Sequence, residues 1–546
     1  MKRRDFLCRL AASLPALMAL GPVAGQTRTA EPASAPDKPA DPAPAYQLDS
    51  IGVQDIQDIF NLLQQYRIEQ SHLYLERVIT RRLTATMESV VESSTESWGG
   101  LNLRFMSGKG WVGWSESRYD PKLFRENLDK LVQQYFQSAR KKNLAKQKPA
   151  AGKPGPAVDS AAVLKDSPAA AEEKAVKTIK FKEIKEYRED VNRFPPSQVP
   201  LQEIVSFFEQ FRSFKNQVIP QVSDITFRWN DYQKTMSSWL QNGEFCRDEI
   251  YTAGWEVRCR VDSELYIHQI GGSRHLKDDI LGIRGPDIEA LFQGLRRRIE
   301  GDQGLDYDTP IPNLYPVLID PGQNAVLWSH CLFPYFAYDF PFKDNPMRKN
   351  IQFPIEFSLL DNPRLKSSRA NLLFDDDGYP CKEIYLIQNG KPSSVLIGRI
   401  ENWNKLDGVT GRSRRSRYDV EPGIAPTNLL VPAGTDKPDD LLSAYGRMVW
   451  VERFGRIMCD YATGNFTALI EKGYWVEKGR RVKKLKNLVL TDNIFEFCKK
   501  IKGIGKDLKI DNSDGYYYNS GRPVVISYGM PTILISESLV THFKRS

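Results

Sequence analysis

The residues with the clearest chemical potential lie in the segment Pro316–Phe340, where Ser329, His330 and Cys331 are adjacent inside an apolar stretch. A zinc peptidase of the helical type needs two histidines on one helical face, with a glutamate beside the first as general base. The sequence has no His-Glu dipeptide, and no two of its histidines are four or five residues apart. The histidines are His72, His268, His275, His330 and His542. A local two-histidine helical site is therefore excluded.

Nucleophilic catalysis by Cys331 with His330 as its base is disfavoured by their spacing. Adjacent residues of a helix point about 100° apart, so the two side chains cannot meet. The apolar neighbours of Cys331 indicate a buried, unreactive thiol, although activation by a distant base stays open. Pro334 removes a backbone donor and predicts a kink or the end of the helix. Since no G-x-S-x-G, Walker or dinucleotide-binding motif occurs either, the residues alone indicate no catalytic apparatus.

The elements that must position this segment indicate an α+β fold. Helical spacing of apolar residues predicts helices at Val53–Glu69, Asp120–Ala139, Leu201–Arg212 and Pro286–Glu300. Short runs predict strands at His72–Glu76, Met87–Ser93, Leu101–Ser107, Gly110–Ser115, Ile225–Trp229, Met236–Gln241, Glu244–Ile250 and Gly254–Val261. Gln241-Asn242-Gly243 predicts a hairpin turn.

These patterns predict two domains. An N-terminal domain of helices and antiparallel sheet spans 51–310, with a low-complexity surface insertion at about 141–177, and a β-rich C-terminal domain spans 311–546. The C-terminal domain begins with a buried strand at Val317–Ile319, and the turn Asp320–Gly322 leads from it to Ser329.

Two charged clusters fall in predicted loops of the C-terminal domain. Asp375–Gly378 lacks the alternation of a calcium-binding loop and predicts a turn. The cluster Arg412–Arg417 could bind peptide carboxylates, but an exposed, solvated loop is the favoured interpretation. The residues that would contact peptide are Arg412, Arg414, Arg415 and Tyr418.

The N-terminus has the layout of an export signal. Met1–Gln26 combines a basic start, an apolar core and a small-residue end, and Arg3–Leu7 resembles the twin-arginine motif. The Ala/Pro-rich stretch at 27–50 predicts a disordered linker. Without a run of about 20 apolar residues to span a membrane, we expect a soluble, periplasmic protein.

Cysteine spacing and net charge argue against several kinds of metal, redox and nucleic-acid site. No C-x-x-C pair occurs, so zinc knuckles and redox motifs are not predicted. Cys246 and Cys259 could lie on neighbouring strands and pair in an oxidising compartment, a question that the sequence leaves open. A net charge of +8 without a basic stripe interleaved with aromatics does not predict nucleic-acid binding.

Six segments of the C-terminal half follow, in order, the motifs of one family. They are Pro316–Asp339, Asp375–Gly378 with Tyr385–Gly390, Gly411–Tyr418 with Pro426–Asn428, Asp460–Phe466 with Gly473–Gly479, Gly503–Asp507 and Gly529–Thr532. On these segments the chain resembles the TldD/PmbA (TldD/TldE) family, also labelled modulators of DNA gyrase. The first segment stands where the family has V-V-L-x-P-G…L-L-H-E-x-x-G-H-x-x-E-G-D.

The resemblance implies a zinc metallopeptidase ancestry without the zinc ligands. Active members bind zinc through the two histidines of H-E-x-x-x-H and a C-terminal cysteine, and the glutamate is the base. These four positions correspond here to Ser329, His330, Pro334 and Tyr517. A slip by one residue makes His330 the first ligand but places Tyr335 at the second. We therefore expect no metal in this chain and zinc only in a catalytic partner. The aromatic run Tyr516–Tyr518 fits either filling of the vacated pocket or ordinary strand packing.

The family also implies a partner. Its members pair as heterodimers in which a TldD-type subunit and a metal-free TldE-type subunit enclose a peptide chamber. The favoured hypothesis is an exported, non-catalytic, TldE-like subunit that helps hold a small or unfolded peptide. The alternatives are a stand-alone or self-associating peptide-binding or scaffold protein, and a peptidase with an unrecognised site at His330 or Cys331.

Overall fold

The computed structural model describes residues 51–131, 179–186, 195–272, 285–399 and 408–543, apart from short gaps at 67, 69, 108–109, 118–119, 121, 262–263, 309, 311, 339, 342–344, 367, 513–514 and 520–521. The predicted signal peptide at 1–26, the linker at 27–50 and the insertion at 141–177 lie outside the described residues. The last part of the helix predicted to end at Ala139 also lies outside them.

The N-terminal half is a seven-stranded, mostly antiparallel sheet with helices on one face. Its strand order is β3-β2-β1-β5-β6-β4, and β7 pairs with β6. The strands are β1 Ser71–Ala85, β2 Val90–Ser107, β3 Gly110–Glu116, β4 Lys182–Glu183, β5 Asp224–Leu240, β6 Glu244–Val261 and β7 Glu264–Gly272. The helices are α1 Val53–Gln65, α2 at 122–131, α3 Leu201–Val218 and α4 Gly285–Asp302.

Alternation along the strands divides this sheet into an apolar face and a polar face. Leu73, Leu75 and Leu83 of β1 are buried in clusters with the apolar sides of α1, α2, α3 and α4. The intervening residues, such as Tyr74 and Glu76, face the opposite way, because successive side chains of a strand alternate. There they contact the C-terminal half of the chain.

The predicted strands were too short. Four strands of this sheet have 15 to 18 residues, and β5 and β6 each combine two of the predicted strands. The middle of β5 has polar residues on both faces, because Asp231 and Gln233 follow the core residue Trp229 at alternate positions, and this interrupted the expected pattern. The hairpin at Gln241–Gly243 is confirmed, with Gly243 at φ +93°, where glycine is favoured.

The C-terminal half is β-rich, as predicted, and five of its strands form a closed ring. β16 pairs with β9, β9 with β25, β25 with β19, β19 with β17, and β17 with β16. A second sheet has the order β12-β11-β10-β15-β24-β21, while β13 pairs with β14 and β22 with β23. In the ring sheet, β18 and β8 extend from β17, and β20 pairs with β25.

The elements of this half are mostly short. The strands are β8 Tyr307–Asp308, β9 Asn313–Ile319, β10 Leu359–Asp361, β11 Ile384–Gln388, β12 Lys391–Pro392, β13 Ser413–Arg414, β14 Gly423–Ile424, β15 Asn428–Leu430, β16 Arg447–Asp460, β17 Asn465–Glu477, β18 Arg480–Leu485, β19 Leu488–Asn493, β20 Ile501–Ile504, β21 Lys509–Asp511, β22 Tyr516–Asn519, β23 Arg522–Val525, β24 Ser527–Met530 and β25 Ile533–His542. The helices are α5 Val326–Cys331, α6 Pro438–Leu442 and α7 Ile494–Lys499, with 3-10 turns at Gln323–Ala325, Phe333–Phe336 and Pro346–Arg348. A further 3-10 turn, Pro196–Gln198, precedes α3 in the N-terminal half.

One hydrophobic core joins the ring, the second sheet and α5. Leu327 and Trp328 of α5 are buried in it, together with Val317, Leu429 and Leu490. The α+β fold predicted from the sequence is therefore confirmed, whereas the boundary near residue 310 stays a prediction. No helix within the described ranges is long and apolar enough to cross a membrane.

Candidate functional site

Ser329 and His330 lie in the short helix α5, which is preceded by a turn at Gly322 and followed by a 3-10 turn that contains Pro334. After β9, the backbone turns at Gly322, whose φ of +91° favours glycine and whose N–H donates to the carbonyl of Met530 at 2.9 Å. The helix α5 then ends at Cys331, and Pro334 lies in the following 3-10 turn. The predicted effect of Pro334 is thus confirmed.

Two buried polar side-chain atoms of α5 have no hydrogen-bond partner among the described residues. Ser329 is fully buried, and its Oγ is unpaired. The Nε2 atom of His330 is likewise buried and unpaired. Burial lowers the pKa of His330, so its imidazole is neutral at pH 7. These atoms lie in an apolar environment rather than in a hydrogen-bonded catalytic array.

The side chains at the four positions implied by the resemblance do not fit zinc. Tyr517 does reach this region, because its ring packs edge-on against Phe333 with ring centroids 5.4 Å apart. However, serine and tyrosine hydroxyls are poor zinc ligands, and Pro334 offers none. No group of three or more His, Cys, Asp or Glu side chains suited to a metal ion occurs in the described part of the chain. The donor set therefore lacks the imidazoles and thiolate that a structural or catalytic zinc site requires.

Cys331 is a buried thiol and not an activated nucleophile. Burial, followed by its contact with Cys459, raises its pKa well above the ordinary value. The nearby tyrosine hydroxyls are used by the backbone: Tyr461 donates to the carbonyl of His330 at 3.0 Å, and Tyr335 donates to that of Tyr461 at 2.9 Å. This geometry favours the unreactive thiol that the sequence indicated.

Cys246 and Cys259 are both free and lie on the same strand, β6. The disulfide that the sequence left open is thus not formed, and the two cysteines do not lie on neighbouring strands.

The interpretation of Arg412–Arg417 as an exposed loop is wrong for its first half. Arg412, Arg414 and Arg415 are buried, whereas Arg417 is exposed and binds Asp419. Arg412 forms an ion pair with Asp361, and both side chains are fully buried. A buried charge needs such a partner, and Asp361 lies 51 residues from Arg412 in the sequence.

A buried ionic network joins this arginine segment to the polar face of the N-terminal sheet. Lys234 contacts Asp376 at 2.9 Å and Glu76 at 3.2 Å, and Arg104 pairs with Asp377. Burial and the Asp377 charge raise the pKa of Asp375 to about 8. The Asp375–Gly378 turn is confirmed, but its carboxyl groups are buried and partnered rather than solvated.

Two further side chains of the N-terminal sheet complete this network. His72 accepts from Arg104 at 2.7 Å through Nδ1 and contacts the hydroxyl of Ser238 at 2.6 Å through Nε2. Burial, reinforced by Arg104, lowers the pKa of His72, so the ring is neutral. Tyr74 lies beneath Arg415, whose guanidinium carbon is 4.1 Å from the ring centroid.

Tyr418 is also buried, and its backbone N–H donates to Glu76 at 3.2 Å. The structure thus brings Arg414, Arg415 and Tyr418 together near the N-terminal sheet, whereas Arg412 lies on Asp361. Sequence reasoning missed the N-terminal members of this site, and the available signal was the polar residues at alternate positions of β1 and β5.

Beyond the network, the two halves separate and leave a cleft of about 760 Å³. Its floor is the polar face of the sheet, including Thr80, Trp98 and Tyr232. Its opposite wall comes from Arg415 and from the hairpin that carries Tyr518, whose side chain is exposed. This size lies within the range of small-molecule and peptide pockets.

Comparison with known proteins identifies a family model and several relatives to which this chain is similar. Residues 312–542 match the family described as the PmbA/TldA metallopeptidase C-terminal domain. A metalloprotease TldD homologue of Buchnera aphidicola subsp. Acyrthosiphon pisum is 24% identical over 280 residues, which are 50% of this chain and 55% of that protein. The TldD homologue of Haemophilus influenzae is 26% identical over 42% of this chain and 48% of that protein. The chain thus matches about half the length of these relatives.

The crystal structure of TldE from Thermococcus kodakarensis is similar to the whole architecture. It superposes with a TM-score of 0.65 at 14% identity, and the match covers 89% of this chain and 100% of that one. At this identity the similarity establishes the shared fold. The sequence matches thus name TldD homologues, whereas the structural match names TldE.

Proposed function

Because this chain belongs to the TldD/PmbA family, we propose that it is an exported, non-catalytic subunit of the TldE type. In this role it pairs with a TldD-type subunit that holds the zinc. It contributes walls to the chamber in which a small or unfolded peptide is held.

The observation that carries this proposal is the chemistry of α5. Ser329 is fully buried without a hydrogen-bond partner among the described residues, His330 is neutral, and Pro334 closes the helix. Tyr517 packs against Phe333, beside the position of the second missing histidine. A peptidase of this family needs a base and three zinc ligands at these positions, and the side chains present supply neither.

A role in holding peptide is supported by the cleft between the two halves. Its polar floor and aromatic walls belong to this chain alone, so the surface exists before a partner is added. The same observation favours a second candidate function, a stand-alone peptide-binding protein. The two candidates differ in whether peptidase activity depends on this chain.

The experiment is purification of the chain from its native periplasm under gentle conditions, followed by metal analysis and a peptidase assay with an unfolded protein. We expect a second subunit that carries zinc and H-E-x-x-x-H, and activity only when both subunits are present. The isolated chain should contain far less than one zinc per molecule.

Stoichiometric zinc in the isolated chain, with activity abolished by His330→Ala, would overturn the proposal. Purification without any catalytic subunit would favour the stand-alone function instead. Export is tested separately by Arg3→Lys together with Arg4→Lys, which should retain the protein in the cytoplasm if the twin-arginine route is used.

A further inference from the structure

The cleft between the two halves carries more positive than negative charge. Eight basic side chains line it and only four acidic ones. Four of the basic groups are already paired: Lys234 with Glu76 and Asp376, Arg228 and Arg258 with Glu256, and Arg417 with Asp419. The remaining excess comes from arginines, whose planar guanidinium groups suit bidentate contact with a carboxylate.

Arg415 is the most unusual of these arginines. Its side chain is fully buried, and its Nη1 donates to Asn102 at 3.1 Å and to the carbonyl of Tyr418 at 3.3 Å. Its Nε and Nη2 have no hydrogen-bond partner among the described residues, since Asp377 lies 3.8 Å from Nη2. Burial and the neighbouring Arg104 lower its pKa. Leaving the donors of a buried charge unpaired is unfavourable, so a ligand that accepts from them would be stabilised.

Other unpaired atoms in the cleft wall are also mainly donors. The Nε1 of Trp98, the Nε of Arg228 and the hydroxyl of Ser416 have no partner within the described ranges. One unpaired acceptor, Oδ1 of Asp231, also lies there, but its carboxylate is held through Oδ2 by Arg81 and Trp229. The cleft thus offers hydrogen-bond donors and positive charge to a ligand that supplies acceptors.

We propose that this cleft is a subsite for the free α-carboxylate of a peptide, with Arg415 as its principal ligand. Trp98 and Arg228 supply further donors. The ring of Tyr232 contacts the adjoining peptide chain from the floor of the cleft, and the ring of Tyr518 contacts it from the opposite wall. The volume of about 760 Å³ is far more than an inorganic anion fills, since a water molecule occupies about 30 Å³. The unpaired donors support only the recognition of a carboxylate. The identification of the ligand as a peptide rests on the proposed function.

The test is calorimetric titration of the full chain with N-acetylated tetra-alanine, as the free acid and as its C-terminal amide. We expect the acid to bind about tenfold or more tightly than the amide, a difference of about 1.4 kcal/mol. Inorganic phosphate at the same concentration should displace the acid poorly. Equal binding of acid and amide, or no binding of either, would overturn the proposal, and displacement by phosphate at equal concentration would overturn the assignment to a peptide.

Single-residue variants test whether the carboxylate binds in this cleft, and they include residues outside the buried ionic network. Arg415→Gln should remove the preference for the acid, and because this change could impair folding, Trp98→Phe and Arg228→Gln are tested beside it. Trp98→Phe and Arg228→Gln should each weaken binding of the acid severalfold and leave binding of the amide unchanged. Arg447→Gln, at an exposed arginine paired with Glu477, is the control and should change neither. Unaltered binding by both Trp98→Phe and Arg228→Gln would refute the subsite.

These outcomes are separable from those that test the proposed function. A chain that prefers the acid but does not support the activity of a catalytic subunit refutes only the pairing. A chain that supports that activity but binds acid and amide equally refutes only the carboxylate subsite.

Discussion

Replacing Arg412 should destabilise the protein more than replacing any exposed arginine. Arg412 and Asp361 form an ion pair with both side chains fully buried. Arg412 also donates to the carbonyls of Thr410 at 2.9 Å and of Lys382 at 2.7 Å. Arg412→Met leaves a buried carboxylate without its countercharge, and breaking such a pair costs roughly 3–5 kcal/mol. We expect a loss of about 4 kcal/mol, a large part of a typical stability of roughly 5–15 kcal/mol.

A double-mutant cycle tests the origin of that loss. Asp361→Asn removes the negative charge while its remaining carbonyl can still accept from Thr427, and we expect it to cost about 3 kcal/mol. The double variant leaves no unpaired charge, so it should cost about 4 kcal/mol in total, with a coupling energy of about 3 kcal/mol.

The measurement is urea unfolding of the full chain, followed by circular dichroism and compared through both the midpoint and the slope. Arg417→Met is the matched control, because Arg417 forms the same type of pair with Asp419 on the surface. It should cost less than about 1 kcal/mol. Additive single-variant losses, or a control as damaging as Arg412→Met, would refute the reasoning that burial makes the pair important.

Three further predictions concern the candidate site. Ser329→His, His330→Glu and Pro334→His combined should restore neither stoichiometric zinc nor peptidase activity, as measured by metal analysis and peptide cleavage, because the thiolate ligand stays absent; activity comparable to an intact family member would contradict this. Because burial lowers the pKa of His72 below 6.5, only the unfolded chain takes up its proton as the pH falls, so stability should decrease below about pH 6.5 by up to about 1.4 kcal/mol per pH unit. His72→Gln should flatten that slope in urea titrations at several pH values, and an unchanged slope would exclude His72 as its source. Cys331 should resist iodoacetamide in the native protein and react after unfolding, as followed by mass spectrometry, whereas rapid native labelling would contradict its burial.

The sequence predicted those helices and strands whose apolar residues all face one hydrophobic core. Helices α3 and α4 were found because Phe208, Phe211, Leu291 and Leu295 repeat at helical spacing toward one core. Strand β5 was divided in the prediction because Asp231 and Gln233 place polar residues on its otherwise apolar face, where Arg81 donates to Asp231. Period-two hydrophobicity cannot detect such a stretch, since both faces of the strand then carry polar residues.

The candidate site was only partly predictable for a related reason. The absence of zinc-binding residue types at Ser329 and Pro334, two of the positions that the resemblance implies, could be predicted directly because it depends only on residue identity. The burial of Arg412 and Arg415 could not, because their carboxylate partners Asp361 and Asp377 are remote in sequence. From sequence alone, an arginine cluster is predicted to be exposed to solvent, because the carboxylates that pair with it are known only from the fold.

The closed ring of strands imposes an order on synthesis and folding. β25 lies between β9 and β19, and Leu318 of β9 pairs with Leu534 of β25. While the chain is being made, the earlier strands must therefore wait with unpaired edges until residue 542 has emerged. Such edges pair readily with other chains, and pairings this distant in sequence form slowly. A nascent or truncated chain that lacks β25 is thus the form most exposed to aggregation, and the one for which a chaperone would matter most.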